Sequence, residues 1–193
     1  RGIAYPNALN LPIDESKIPH FVKPYIELTQ KMAFLLAQLS KSEIRSINIT
    51  AEGEISEYLD SLQTFATVGV LAVSCGDEVN YVNANFIAKE KGIDLTTSEF
   101  SNHSGYQNKV SINITTPTGV KTISGTVFNE DVQRIVEING FPLDIEPKGK
   151  MIIMRNHDVP GVIGEVGKIL GNNNINIADF RLSRGKDGAL AVI

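Results

Sequence analysis

The groups best suited to chemistry lie between residues 156 and 176. Asp158 supplies a carboxylate that would balance an ammonium. Pro160 and Gly161 follow it closely, and the apolar stretch 162–170 reads as a helix. Gly161 would let backbone approach a ligand. The first turn of a helix carries unpaired N–H groups and the positive end of its dipole, which suits a carboxylate. Asn176, placed at the opening of an expected strand at 174–177, has an amide that donates and accepts at once. Together these groups would hold a small zwitterion. The plainer alternative is that Asp158 caps the helix and Asn176 sits in a turn.

Other reactive side chains are poorly placed for catalysis. His157 adjoins Asp158, yet no serine or cysteine lies nearby in sequence to serve as nucleophile. His20, His103 and the single Cys75 do not have metal-ligand spacing. Cys75 follows an apolar run and reads as a buried structural thiol. Neither a G-x-G-x-x-G fingerprint nor a P-loop is present. Glu52-Gly53-Glu54 reads as a solvated turn, and Arg134, Lys148 and Lys150 as a weak basic patch or a solvated face. We therefore expect neither catalytic nor metal-binding residues in this stretch.

The elements that must position the loop follow from patterning. Apolar residues Ile26, Met32, Leu35, Leu36 and Leu39 recur at helical spacing over 22–39, with Asp14 and Ser16 as cap candidates and Pro24 in the first turn. Ile47, Ile49 and Ala51 alternate with polar residues as in a half-buried strand ended by Gly53. A second helix holds Leu59, Leu62, Phe65 and Ala66 and breaks near Gly76; a shorter third covers 82–91. Strands at 109–116 and 120–128 flank the Pro117-Thr118-Gly119 turn, and a second hairpin surrounds Asn139-Gly140. A strand at 151–155 then opens a strand–loop–helix–strand–strand unit. This order predicts an α+β protein with mixed α/β elements in two units, divided near Pro147-Lys148-Gly149.

Composition agrees with a packed fold built on aliphatic residues. Of 193 residues, 42% are hydrophobic but only 7% aromatic, and tryptophan is absent. The net charge of −4 and the lack of a basic stripe argue against a nucleic-acid partner. No apolar run approaches the roughly 18 residues of a membrane span. One cysteine excludes an internal disulfide and suits a cytoplasmic setting. The chain begins at Arg1 and ends inside an apolar run at 189–193, so we expect an excised piece or part of a larger protein.

Residues 150–193 resemble the first part of an ACT domain, a βαββαβ amino-acid sensor. The matching residues are the first strand, Asp158-Val159-Pro160-Gly161-Val162, and Asn174-Ile175-Asn176-Ile177. The whole chain resembles the C-terminal regulatory part of the long bacterial D-3-phosphoglycerate dehydrogenases. Tyr5-Pro6-Asn7-Ala8-Leu9-Asn10 looks like the exit from their substrate domain. Ile123-Ser124-Gly125-Thr126-Val127 and 134–140 look like their intervening, allosteric substrate-binding-type domain. The resemblance implies a connector at 1–12, an intervening domain at 13–148 and a partial ferredoxin-like ACT domain at 149–193, without its second helix and last strand.

The same resemblance implies function. The parent enzyme would oxidise 3-phosphoglycerate with NAD, the first step of L-serine synthesis, with the catalytic residues and NAD site upstream and no cofactor in this stretch. L-serine would bind as effector, across a homo-oligomer interface, at Asp158, Asn176, Asn156, Pro160 and Gly161; Asn156 stands where the family often has His or Tyr. Arg134 and Lys148 would belong to an anion site, although Glu146 falls where a relative has a basic residue. Two alternatives stay open: the regulatory region of an L-serine dehydratase, and a stand-alone amino-acid-binding module.

Overall fold

The computed structural model describes residues 18–99, 104–185 and 188–193. The expected connector at 1–12, the cap candidates Asp14 and Ser16, and His103 lie outside them. Helix α1 (Val22–Leu39) leads to strand β1 (Ser46–Glu52). A short 3-10 turn precedes α2 (Leu59–Cys75), followed by α3 (Ala84–Glu90) and β2 (Asp94–Glu99). Four strands then run in succession: β3 (Lys109–Thr116), β4 (Gly119–Phe128), β5 (Val132–Ile138) and β6 (Phe141–Ile145). The last unit comprises β7 (Ile153–Asn156), α4 (Val162–Asn172), β8 (Arg181–Gly185) and β9 (Gly188–Val192).

The first six strands form one sheet, ordered β2-β1-β3-β4-β5-β6. Only β2 with β1 is parallel. Alternation decides which face is buried. Ile47, Ile49 and Ala51 of β1 lie opposite Ile114, Ile112 and Val110 of β3, and all six are buried. Leu28, Met32 and Leu36 of α1 and Leu62 and Leu71 of α2 join that core. The opposite face carries small polar groups: the Asn48 amide donates to Thr96 Oγ1 at 2.9 Å, and the Ser111 and Ser124 hydroxyls meet at 2.8 Å. Gly125 sits at a register shift between β4 and β5, where an added Cβ would lie 2.6 Å from Met32 Sδ. Its missing side chain lets α1 settle onto the sheet.

Turn chemistry agrees with the expected hairpins. Asn139 and Gly140 both have positive φ, 50° and 79°, as a two-residue primed turn requires. Asn129 and Glu130, at 48° and 70°, make a similar turn that composition alone does not flag.

Several expectations need correction. Strand β2 has no counterpart among the expected elements, because its residues are almost all exposed and do not alternate in polarity. The stretch 174–177 does not open a strand: Asn174 has φ 56°, Ile175 N–H bonds back to Leu170 O to close α4, and β8 begins at Arg181. Strand β7 begins at Ile153, two residues later than expected. Glu52 is not solvated: it is 7% exposed and accepts the Ser104 N–H and O–H at 3.1 and 2.6 Å. Cys75 is half-buried at the edge of the core. Finally, Glu54–Glu78 is long and apolar enough, by length and composition, to cross a membrane. In this fold it packs as a core helix, with Leu62, Ala66 and Thr67 fully buried.

The second sheet, ordered β7-β9-β8, is antiparallel. Leu190 and Val192 of β9 belong to the same core cluster as Phe141 and Ile145 of β6. The Arg155 guanidinium lies 5.8 Å from the Phe141 ring centre.

Candidate functional site

Strand β7 delivers Asn156 to the start of a loop that ends at Gly161. The Asn156 side-chain oxygen accepts the Asp158 N–H at 2.7 Å, a local turn that asparagine favours. Asp158 itself adopts φ 52°, a left-handed conformation uncommon for a residue with a Cβ. Gly161 follows at φ 94° and caps α4 without any side-chain hydrogen bond. The reading of Asp158 as a helix cap is thereby corrected. Its carboxylate turns instead toward β8, where Oδ2 accepts the Arg184 Nε–H at 2.7 Å.

Strand register explains that pair. Asn156 and Arg184 both lie opposite Ala189, so the three residues form one cross-strand row. Ala189 is fully buried and adds only a methyl group to that row. Gly188, at φ 113°, lies where a Cβ would strike the Asn156 carbonyl. The Asp158 side chain is 34% exposed and that of Arg184 is 70% exposed. Each group thus retains access to solvent and to a small ligand.

Of the expected effector residues, the fold brings together Asn156, Asp158, Pro160 and Gly161. It does not join Asn176 to them: that residue is exposed in the segment between α4 and β8, with no hydrogen bond to Asp158. Arg184 is absent from the sequence-based set. Its only signal is a cation in a strand, and its partner depends on a register that spacing does not reveal. Around the loop, Val159, Ile163, Ile175 and Ile177 expose apolar surface.

The basic residues Arg134 and Lys148 also meet, but around an anion of the chain itself. Lys148 Nζ lies 2.6 Å and Arg134 Nη1 3.8 Å from Glu146 Oε2, while Arg134 Nε lies 3.5 Å from Asp144. The Lys148 hydrogen bond, aided by the charges of Lys148, Arg134 and Lys31, holds the Glu146 carboxyl below its usual range. Arg134, Glu146 and Lys148 line a cleft of about 460 Å³ with Lys31, Asp131 and Gln133. Among the described residues no group of three His, Cys, Asp or Glu side chains is placed to hold a metal.

Family models match both units. One, the D-3-phosphoglycerate dehydrogenase intervening domain, covers residues 21–139; the other, the ACT domain, covers 150–193. The chain belongs to the D-3-phosphoglycerate dehydrogenase intervening-domain family. It is 36% identical to the D-3-phosphoglycerate dehydrogenase of Bacillus subtilis, covering 100% of this chain and 37% of that protein. It is 29% identical to the one from Synechocystis, over 95% of this chain and 33% of that protein. For Archaeoglobus fulgidus the identity is 30%, over 97% and 36% respectively. The chain therefore spans about a third of the length of these relatives.

Proposed function

We propose that this chain is the regulatory part of an NAD-dependent D-3-phosphoglycerate dehydrogenase and acts through L-serine feedback and subunit assembly. The observation that carries the reading is the succession of the two family matches along one chain, with D-3-phosphoglycerate dehydrogenases as full-span relatives. In this reading the intervening domain occupies 13–148 and the ACT domain 149–193. NAD and 3-phosphoglycerate belong to the parent's catalytic part, and the setting is cytoplasmic. The effector loop is Asn156–Gly161, with Asp158 as the ammonium acceptor and Asn176 closing over the ligand once it is bound. Exposed apolar side chains beside that loop suit a homo-oligomer interface. Serine would inhibit by favouring one subunit arrangement, for which a coupling of about 1–3 kcal/mol is typical.

The test is calorimetric titration of the intact enzyme with L-serine, beside its steady-state inhibition. Losing a charge-assisted hydrogen bond costs about 1.5–3 kcal/mol, so Asp158→Ala should weaken serine binding about ten- to hundredfold. Unchanged affinity in that variant would remove Asp158 from the site. Arg134 and Lys148 form, in the same reading, an anion subsite whose cations Glu146 already engages.

A further inference from the structure

The Asp158–Arg184 pair joins through Arg184 Nε and Asp158 Oδ2. That geometry leaves the pair's outer polar atoms without a partner among the described residues. Among the described residues, the two terminal nitrogens of Arg184 and Oδ1 of Asp158 make no hydrogen bond. A guanidinium edge of this kind matches a carboxylate with two parallel N–H donors. Asp158 Oδ1, beside it, accepts from an ammonium. Opposite charges fixed side by side in this way mirror an α-amino acid, whose ammonium and carboxylate share one carbon.

We infer that Arg184 is an effector-binding residue, receiving the carboxylate of a zwitterionic α-amino acid whose ammonium rests on Asp158. The inference rests on the effector reading above and deepens it by assigning the carboxylate to a side chain rather than to the start of α4. Three features favour this placement. The row Asn156–Ala189–Arg184 holds the arginine at the loop through backbone pairing on both sides of β9. Ala189, between them, adds no more than a methyl group to that row. The Asp158 φ of 52° is held by the Asn156 side chain, which aims the carboxylate toward β8 before any ligand arrives. An amine without a carboxylate would use only half of the site.

The experiment compares L-serine with ethanolamine, which retains the amine and hydroxyl but has no carboxylate, by calorimetry on the intact enzyme. Wild type should prefer serine. Arg184→Gln should weaken serine about ten- to hundredfold and leave ethanolamine unchanged or up to about fivefold tighter, because Asp158 loses its paired cation, erasing the preference. Arg184→Lys should recover part of the loss, because a point charge replaces the fork. Asp158→Asn should weaken both ligands. If Arg184→Gln binds serine as wild type or more tightly while Asp158→Asn still weakens it, Arg184 is no ligand-binding residue and the effector reading survives alone. If wild type does not bind serine, or Asp158→Asn binds both ligands normally, the effector reading fails and this inference with it.

Discussion

Asp158 and Glu146 are both carboxylates paired with arginine, yet their surroundings prepare them for different roles. Asp158 meets Arg184 through one oxygen, in a loop whose conformation is set by Asn156. Glu146 engages Lys148 and Arg134 through the same oxygen, in the lining of a cleft whose cations would otherwise attract an anion. Its carboxyl is held below the ordinary range, chiefly by the Lys148 hydrogen bond. The sign follows directly. A lowered folded-state pKa means that these pairs contribute above the ordinary glutamate value of about 4.3 and are lost as pH falls through the lowered one. Sulfate, which does not titrate in that window, should therefore bind the cleft more tightly as Glu146 protonates. Glu146→Gln should bind sulfate more tightly than wild type at neutral pH, by no more than about fivefold for so exposed a pair, and should weaken the pH dependence without abolishing it, since Asp144 also faces Arg134 and Asp131 lines the cleft. Isothermal titration across pH checks both arms; equal affinities in variant and wild type would mean that Glu146 does not compete for these cations. At this scale the sequence marks the loop residues Asp158, Pro160 and Gly161 but not the asparagine–aspartate turn, since an aspartate before a helix reads equally well as its cap. The roles of Arg184 and Glu52 are not legible either, because each meets a partner at least 26 residues away in sequence.

Helices and most strands are legible where one face is buried and a turn residue marks the end. Helix α1 and strands β1, β3 and β4 follow their patterns within a residue, because Ile47, Ile49, Ile112, Ile114 and Ile123 must all face α1 and α2. Strand β2 escapes the pattern because it is held chiefly by backbone pairing with β1 and buries almost nothing. The apparent strand at 174–177 misleads for the opposite reason: Ile175 and Ile177 alternate with asparagines but remain exposed, and the Asn174 backbone is spent on ending α4. The least visible constraint is Gly69, in the middle of α2. A Cβ there would strike the Gln30 carbonyl and lie 2.9 Å from Ala33 Cβ, so α1 and α2 cross where this glycine leaves room. Gly69→Val should cost about 1–3 kcal/mol from overpacking. Gly167→Ala in α4, where nothing lies within 4 Å, should instead gain about 0.5–1 kcal/mol from helix propensity. Urea denaturation of both variants separates the effects; equal shifts would show that the α1–α2 crossing does not depend on Gly69.

The regulatory reading requires the loop at Asp158 to communicate with the rest of the molecule, and the shared core supplies a physical route. Phe141 of β6 is 7% exposed and belongs to one cluster with Leu190 and Val192 of β9 and with Leu28 and Met32 of α1. Arg155, next to Asn156 in β7, stacks over the same ring. Gly185, next to Arg184 in β8, lies so near that an added Cβ would come within 2.9 Å of it. Both ends of the cross-strand row that carries the candidate site are therefore adjacent in sequence to residues that touch Phe141. A displacement of Arg184 or Asn156 on ligand binding would be felt by this ring, because packed cores deform little before they rearrange. Phe141→Ala should cost about 3–5 kcal/mol if the two sheets unfold together. Its distribution is the sharper test. Hydrogen exchange should show amide protection falling further in β8 and β9 than in β1 and β3, since the six-stranded sheet keeps its own packing against α1 and α2. A uniform loss across both sheets would instead make Phe141 an ordinary core residue. No loss in β8 and β9 would remove this route between the candidate site and the larger sheet.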